Sequence, residues 1–352
     1  MSSRWKDVLQ WIERLREHPP RHNFTGLSKP GLRACIKVAL DAVTPEALAQ
    51  AAREPGEPWQ RVGLVTTHTT ATAPLEWLAV LLGRGSEVVW VSSDVHPGLS
   101  LWMCAHSADL PLRRVARFEE LAACDFIVVF GDASTARRLQ PFIDTTATVY
   151  VHGSSWSGVW VTGSQELQPV PGLPASMQDT WGRIAADAAL HDGRGCRSPH
   201  IIFTPLSREA VLDPLADAMA RAEQLWPRGT VYPAEASFEH ARESLARVVG
   251  DVRVGEGWSV HAVPEKNADC HSAPRSLLVV PEIELEAALD RVRGWSHDLL
   301  LMGTDTLSDA PKWASIGAHD VVPIGEMQRP PLHRVEREDG WMSNTVQPPS
   351  PR

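Results

Sequence analysis

The sequence predicts an α/β protein: an open parallel sheet followed by a second α/β region. Three observations carry this. Short apolar runs of strand length alternate with helical patterns between about residues 62 and 151, the signature of βαβ units with right-handed crossovers. The runs end in clusters of Gly, Ser and Thr, as ligand-facing strand ends do. A proline-rich stretch, Gln168-Pro169-Val170-Pro171-Gly172-Leu173-Pro174, then interrupts the pattern before a new alternation begins.

In order, residues 5–17 form an amphipathic helix with Trp5, Val8, Leu9, Ile12 and Leu15 at helical spacing, closed by Pro19-Pro20. Helical pattern resumes from Lys29 to Ala52 with a break at Thr44-Pro45, and 54–58 is a linker. Strands are expected at 62–67, 87–91, 125–130 and 147–151, and helices at 74–82, 99–106 and 133–139. Residues 159–163 form a strand leading out of this domain. Beyond the hinge come helices at 177–190, 208–225, 234–249, 284–294 and 308–317. Strands are expected at 200–204, 258–263, 276–280 and 299–303, and residues 325–332 are held extended by prolines.

Composition limits the partners. The 352 residues are 43% hydrophobic with a net charge of −9, which suits a sizeable core and disfavours a nucleic-acid partner. The N-terminus lacks the apolar centre of a signal peptide, and no run reaches the ~20 apolar residues of a membrane span, so a cytoplasmic location is expected. The five cysteines (Cys35, Cys104, Cys124, Cys196, Cys270) include no C-x-x-C pair, so neither a zinc knuckle nor a redox dithiol is signalled, and no metal is expected.

Ligand chemistry concentrates at the carboxyl ends of the first four strands, where open parallel sheets bind. Thr67 with its following threonines, Ser92-Ser93, Gly131-Asp132 with Ser134, and His152-Gly153-Ser154 supply hydroxyl and backbone donors suited to the phosphates and sugars of a nucleotide. The G-x-G-x-x-G fingerprint and the P-loop are both absent.

The candidate nucleophile lies in His191-Asp192-Gly193-Arg194-Gly195-Cys196-Arg197-Ser198-Pro199, between a helix and a strand. Arg194 and Arg197 could favour a thiolate, and Gly193 and Gly195 could let the backbone approach a ligand. A cysteine that merely occupies a surface loop is the competing reading.

Three pieces together resemble the LuxC-type acyl-CoA reductases of the aldehyde dehydrogenase superfamily. Asp187 to Pro199, read D-x-x-x-x-D-G-R-G-C-R-S-P, is similar to their nucleophile loop. Gly325-x-Met327-Gln328-x-Pro330-Pro331-Leu332 with Asp339-Gly340 is similar to their C-terminal signature, and Cys124-Asp125 through Gly131 to the end of their cofactor domain. The resemblance implies an aldehyde-dehydrogenase-like fold. A helical region (1–58) precedes a dinucleotide-binding domain (59–164), a catalytic domain carrying Cys196 (175–322) and an extended tail (323–352). It implies that a fatty acyl group from acyl-CoA, an acyl carrier or an acyl-protein synthetase acylates Cys196. NADPH then reduces the thioester to an aldehyde, commonly within a homo-oligomer.

Thr69 stands where the family carries an oxyanion-donating Asn, and Val91 where it carries a ribose-holding Lys. His152 and His333 are the candidates for general base, and Arg84 and Arg113 for a 2′-phosphate. The alternative is a divergent, non-reducing relative that only carries an acyl group or regulates a partner.

Overall fold

The computed structural model describes residues 2–20, 25–53, 59–66, 72–92, 98–131, 133–152, 155–164, 167–270, 273–295 and 299–332. The chain divides into two compact units: residues 1–25, 35–154 and 329–352 form one, and 26–34 and 155–328 the other.

The first unit holds a five-stranded sheet, every neighbouring pair parallel, in the order β3-β2-β1-β4-β5, with β1 Arg61–Thr66, β2 Glu87–Ser92, β3 Leu112–Val115, β4 Phe126–Phe130 and β5 Thr148–His152. Helices α4 (Pro74–Arg84), α5 (Gly98–Ala105) and α6 (Ala133–Leu139) connect strands. The register sets Val115, Val91, Val65, Val129 and Val151 side by side, one valine from each strand, all buried in one apolar cluster. Burial on both faces is what makes parallel strands read as continuous apolar runs. Strand β3 escapes that pattern, because two of its four residues are arginines.

Ahead of the sheet lie α1 (Ser3–Glu17), α2 (Lys29–Ala42) and α3 (Pro45–Ala51). Helix α1 buries Trp5, Val8, Trp11, Ile12 and Leu15. It meets α4 so closely that a Cβ on Gly83 would fall 2.3 Å from the Trp5 ring. Trp11 Nε1 donates to the Met103 carbonyl of α5 at 3.1 Å and Arg14 Nε to that of His106 at 3.0 Å, so this helix is tied to the helices of the same unit.

The second unit holds a seven-stranded sheet in the order β12-β11-β6-β7-β10-β9-β8. The strands are β6 Trp156–Trp160, β7 Pro199–Phe203, β8 Asp251–Gly255, β9 Trp258–Ala262, β10 Ser276–Val280, β11 Leu299–Thr304 and β12 Asp320–Pro323. Neighbours are parallel except β8 and β9, an antiparallel hairpin. Side chains of α7 (Thr180–Ala189) and α8 (Arg208–Leu225) join one apolar cluster with Ile202 and Val279; those of α9 (Pro233–Val249), α10 (Leu285–Arg293) and α11 (Ala310–Ser315) join another with Ile201 and Leu278.

Strand β6 begins three residues before the sequence expectation. The backbone amides of Thr162, Gly163 and Ser164 do not join the ladder; all three donate to the buried Asp305 carboxylate at 2.8–3.0 Å. No helix among the described residues is long and apolar enough to cross a membrane.

Candidate active site

Helix α7 starts at Asp179, whose carboxylate accepts from Gly182 N at 2.8 Å, and it runs to Ala189. The chain then turns through three consecutive left-handed residues, His191 (φ 55°), Asp192 (φ 55°) and Gly193 (φ 69°). Only glycine fits the third place: besides its φ, a Cβ there would lie 2.7 Å from Arg275 N. Left-handed backbone at a histidine and an aspartate costs free energy and persists where surrounding contacts fix it.

Asp192 supplies those contacts. Its carboxylate is buried, 2.8 Å from Arg275 and 3.1 Å from Arg194, and accepts from Gly229 N at 3.1 Å. Arg275, itself at φ 52°, also pairs with Glu223 at 2.5 Å and donates to the carbonyls of Ala189 and Trp226. Arg194 makes a two-pronged contact with Glu235, at 2.7 and 2.8 Å, and reaches the Thr230 carbonyl at 2.6 Å. Burial works to lower the Arg194 pKa, but the bond to Glu235 and the charges of Glu235 and Asp192 outweigh it and hold that pKa above the usual value.

The two cations expected to act on Cys196 therefore have anionic partners of their own. Arg194 belongs to this network. Arg197 Nε donates to the Met327 carbonyl at 2.5 Å, and its Nη1 lies 3.5 Å from Asp320.

Cys196 follows in a turn closed by Ser198 N donating to Gly195 O at 2.9 Å, and the Cys196 carbonyl accepts from Ser157 Oγ of β6 at 2.6 Å. The side chain is half-buried and packs against the apolar cluster that contains Ile184, Ile202 and Met327. The two motifs that resemble one family by sequence are bonded to each other here. Gly325 N donates to the buried Asp187 carboxylate at 2.6 Å. Gln328 Nε2 donates to the Asp187 carbonyl at 2.8 Å and to Ser198 Oγ at 3.1 Å. Asp187, Arg197 and Ser198 are thus all tied to residues 325–328. Asp187 and Gln328 were visible as motif letters, but their partnership, across some 140 positions, was not.

In the first unit the described candidates are Ser92, Gly131, Ser134 and His152. Ser92, Thr66, Phe130 and His152 form one row at the carboxyl end of β2, β1, β4 and β5. Ser92 Oγ lies 2.7 Å from Ser100 Oγ of α5 and accepts from Arg114 Nε of β3 at 2.8 Å. Thr66 Oγ1 accepts from Trp90 Nε1 at 2.9 Å. Gly131 follows β4, and a Cβ there would meet Thr135 Oγ1 at 3.0 Å; Ser134 is exposed in the first turn of α6.

The His152 ring stacks on Phe130 at 4.3 Å and meets Tyr150 and Trp77 edge-on, so it is packed as a member of an aromatic cluster. Val91 lies in the buried valine row, with its side chain in the core; Ser92, one residue on, is the β2 residue of the hydroxyl-bearing row. Thr67, Thr69, Ser93, Asp132, Gly153, Ser154 and His333 lie outside the described residues.

The two arginines named for a 2′-phosphate are engaged elsewhere. Arg113 pairs with Glu120 at 2.9 Å and with Glu87, the first residue of β2, at 3.5 Å; Arg84 donates to the Ala51 carbonyl. The sequence reading passed over Arg114. The twofold alternation of a strand carried the signal, since adjacent arginines in Leu-Arg-Arg-Val must face opposite sides of the sheet.

Solved structures place this fold in a class. The chain matches a NAD-dependent benzaldehyde dehydrogenase from Corynebacterium glutamicum (16% identity, 93% of this chain and 82% of that one, TM-score 0.64). It also matches the methylmalonate-semialdehyde dehydrogenase DddC from Oceanimonas doudoroffii (13%, 92% and 77%, TM-score 0.67). A third match is PnpE solved in complex with nicotinamide adenine dinucleotide (13%, 91% and 76%, TM-score 0.68). Comparison with curated protein sequences yields no significant match. The fold is that of the aldehyde dehydrogenase superfamily. Within it, the family "Acyl-CoA reductase (LuxC)" matches residues 115–341, well over half of the sequence, and the chain belongs to that family.

Proposed function

We propose that this protein is an acyl-CoA reductase that forms an acyl-Cys196 thioester and uses NADPH to release a fatty aldehyde. The observation that carries the reading is the bracing of the cysteine loop. The Cys196 carbonyl is bonded to Ser157, and its neighbours Arg197 and Ser198 are bonded to Met327 and Gln328. Such bracing holds a nucleophile in one geometry before substrate arrives.

In the proposed first step Cys196 Sγ attacks the carbonyl carbon of an acyl thioester, the acyl–sulfur bond to coenzyme A breaks, and coenzyme A leaves as its thiolate. This splits one difficult transfer into two easier ones. The apolar cluster against which Cys196 packs suits an aliphatic acyl group. An acyl carrier or acyl-protein synthetase could supply the same group to the same sulfur.

The residues at the carboxyl end of the five-stranded sheet fit a nicotinamide dinucleotide. Ser92 and Arg114 offer a hydroxyl and a guanidinium at the end of β2, and Gly131 leaves the backbone after β4 without a side chain. Bound there, NADPH would supply the hydride that reduces the acyl-enzyme. One fold neighbour was solved with this class of dinucleotide, which supports the cofactor type.

Incubation with palmitoyl-CoA followed by intact-mass measurement tests the reading. One acyl group should add to the wild type and none to Cys196→Ala; no adduct on wild type, or an equal adduct on the variant, would overturn it. NADPH oxidation in the same mixture separates a reductase from a relative that only carries the acyl group.

A further inference from the structure

We propose that the outward face of α9 is a docking surface for a second copy of this chain, the two helices pairing antiparallel about a two-fold axis. The inference stands apart from the reductase reading and needs neither the thiol nor a cofactor.

Helix α9 turns its apolar stripe away from the core. It buries only Arg242 and Ala246, with Val249 packed partly against the same cluster as Ala246. Helix α1, of similar length, buries Trp5, Val8, Trp11, Ile12 and Leu15. The stripe of α9 is Ala234, Phe238, Ala241, Leu245 and Val248, every one exposed, Phe238 by 42%, Leu245 by 54% and Val248 by 83%. Their spacing of four, three, four and three is that of the a and d positions of a coiled-coil seam, which sets all five on one side of the helix. An amphipathic helix of a globular protein ordinarily aims that side at its own core. Val231, just before α9, and Val254, on the edge strand β8, are exposed as well. Five of the nine exposed large hydrophobics among the described residues therefore fall within 231–254, a concentration that marks an interaction surface.

Shape and charge choose the occupant. In an antiparallel pair with its axis midway between Ala241 and Leu245, Phe238 of one copy meets Val248 of the other, and Ala241 meets Leu245. Each layer then sets a larger side chain against a smaller one, and the surface is complementary to itself, as a two-fold interface must be. A lipid surface would call for lysines and arginines along the polar face. Here Glu235, Glu239 and Glu243 stand there, on a chain of net charge −9. Each of the three is paired within the chain, with Arg194, Arg228 and Arg247. The rim therefore meets an identical rim with its charges already neutralised.

Sedimentation equilibrium of the full-length protein tests this. Wild type should sediment as an oligomer with an even number of chains, and Leu245→Glu should halve its mass. Ala241→Arg should do the same. Both positions are exposed, so circular dichroism should show the fold retained, and either variant carries the test should the other fold poorly. Mixed in equal parts, the two variants should pair again, because position 241 of one copy meets position 245 of the other. One layer then joins the introduced arginine to the introduced glutamate, and the other keeps Ala241 against Leu245. A monomeric wild type overturns the inference and leaves the stripe to a different partner. A mass unchanged in the folded variants places the interface elsewhere, and a mixture that stays apart excludes the antiparallel seam; either result overturns it too. Acylation of Cys196 is read by its own mass measurement and does not depend on these outcomes.

Discussion

The strand ends of the first unit and the loop before Cys196 in the second are both polar, both follow regular elements, and both carry residues of the proposed function. They are built by opposite means. At the strand ends, Ser92 is hydrogen-bonded to Ser100 and Arg114, and Thr66 to Trp90, with Arg114 the one charged participant among these contacts. The cysteine loop is held by charge: Asp192, Arg194, Arg275, Glu223 and Glu235 form a chain of ion pairs around a strained backbone. The difference fits the tasks proposed. A covalent nucleophile gains from a fixed position, whereas a nucleotide pocket gains from donors that can turn to meet a ligand.

The sharpest way to break the comparison is Asp192→Ala. Removing Asp192 takes a buried anionic partner from both Arg194 and Arg275 and leaves them Glu235 and Glu223 alone, and breaking a buried ion pair costs about 3–5 kcal/mol. Urea unfolding should show a loss of that size. A loss below about 1 kcal/mol would mean that the charge network does not hold the loop.

A pH titration of stability comes next. His200 and His261 are core residues of β7 and β9, and burial, aided by the positive charge of Arg242, pushes each down from 6.5 to about 4. The unfolded chain therefore takes up these protons first as pH falls. Their contribution is fully present above about pH 6.5 and is lost as the pH falls toward 4, by about 1.4 kcal/mol per pH unit for each group. Urea midpoints measured between pH 7 and 4.5 should fall accordingly, and His261→Asn should flatten the fall. An identical pH slope in that variant would show that His261 is not among the groups responsible.

Much of this was legible in the sequence because it was local. The strands of the first sheet announce themselves as apolar runs, since the parallel sheet is buried on both faces. Strands β3 and β8 did not, because Leu-Arg-Arg-Val and Asp-Val-Arg-Val-Gly interleave charges that the sheet places at partly exposed positions. The cysteine loop was visible as glycines and arginines around one thiol. The direction of its arginines was not, because Glu235, Arg275 and Asp320 lie some 40 to 120 positions away. Sequence proximity showed the cations, and the fold supplies their anionic partners, Asp192 and Glu235 for Arg194 and Asp320 for Arg197.

Gln328→Ala is expected to have a middling effect. It deletes the donor to both the Asp187 carbonyl and Ser198 Oγ, and an unmade buried hydrogen bond costs about 1–3 kcal/mol. A purely structural role would change stability alone. A role in holding the nucleophile would also change the rate and pH profile of Cys196 alkylation by iodoacetamide under conditions where the protein remains folded. Gln328→Glu keeps the shape but replaces the donor amide with a carboxylate, so it should fail to restore the wild-type profile. Recovery in that variant would assign the effect to packing.

The smallest effect is expected at Ser100→Ala, and it probes the other half of the comparison. Ser100 and Ser92 are both buried, 3% and 8% exposed, with their hydroxyls 2.7 Å apart. Deleting the Ser100 hydroxyl leaves Ser92 Oγ still accepting from Arg114, so that oxygen is not stranded. The loss should stay within about 0.5–1.5 kcal/mol, the net worth of one neutral hydrogen bond. Urea unfolding of Ser100→Ala beside Asp192→Ala then puts the two modes of construction on one scale. Comparable losses would mean that the hydroxyl row is as tightly coupled as the ion-pair chain, and the division of labour between a fixed nucleophile and an adaptable nucleotide edge would fall.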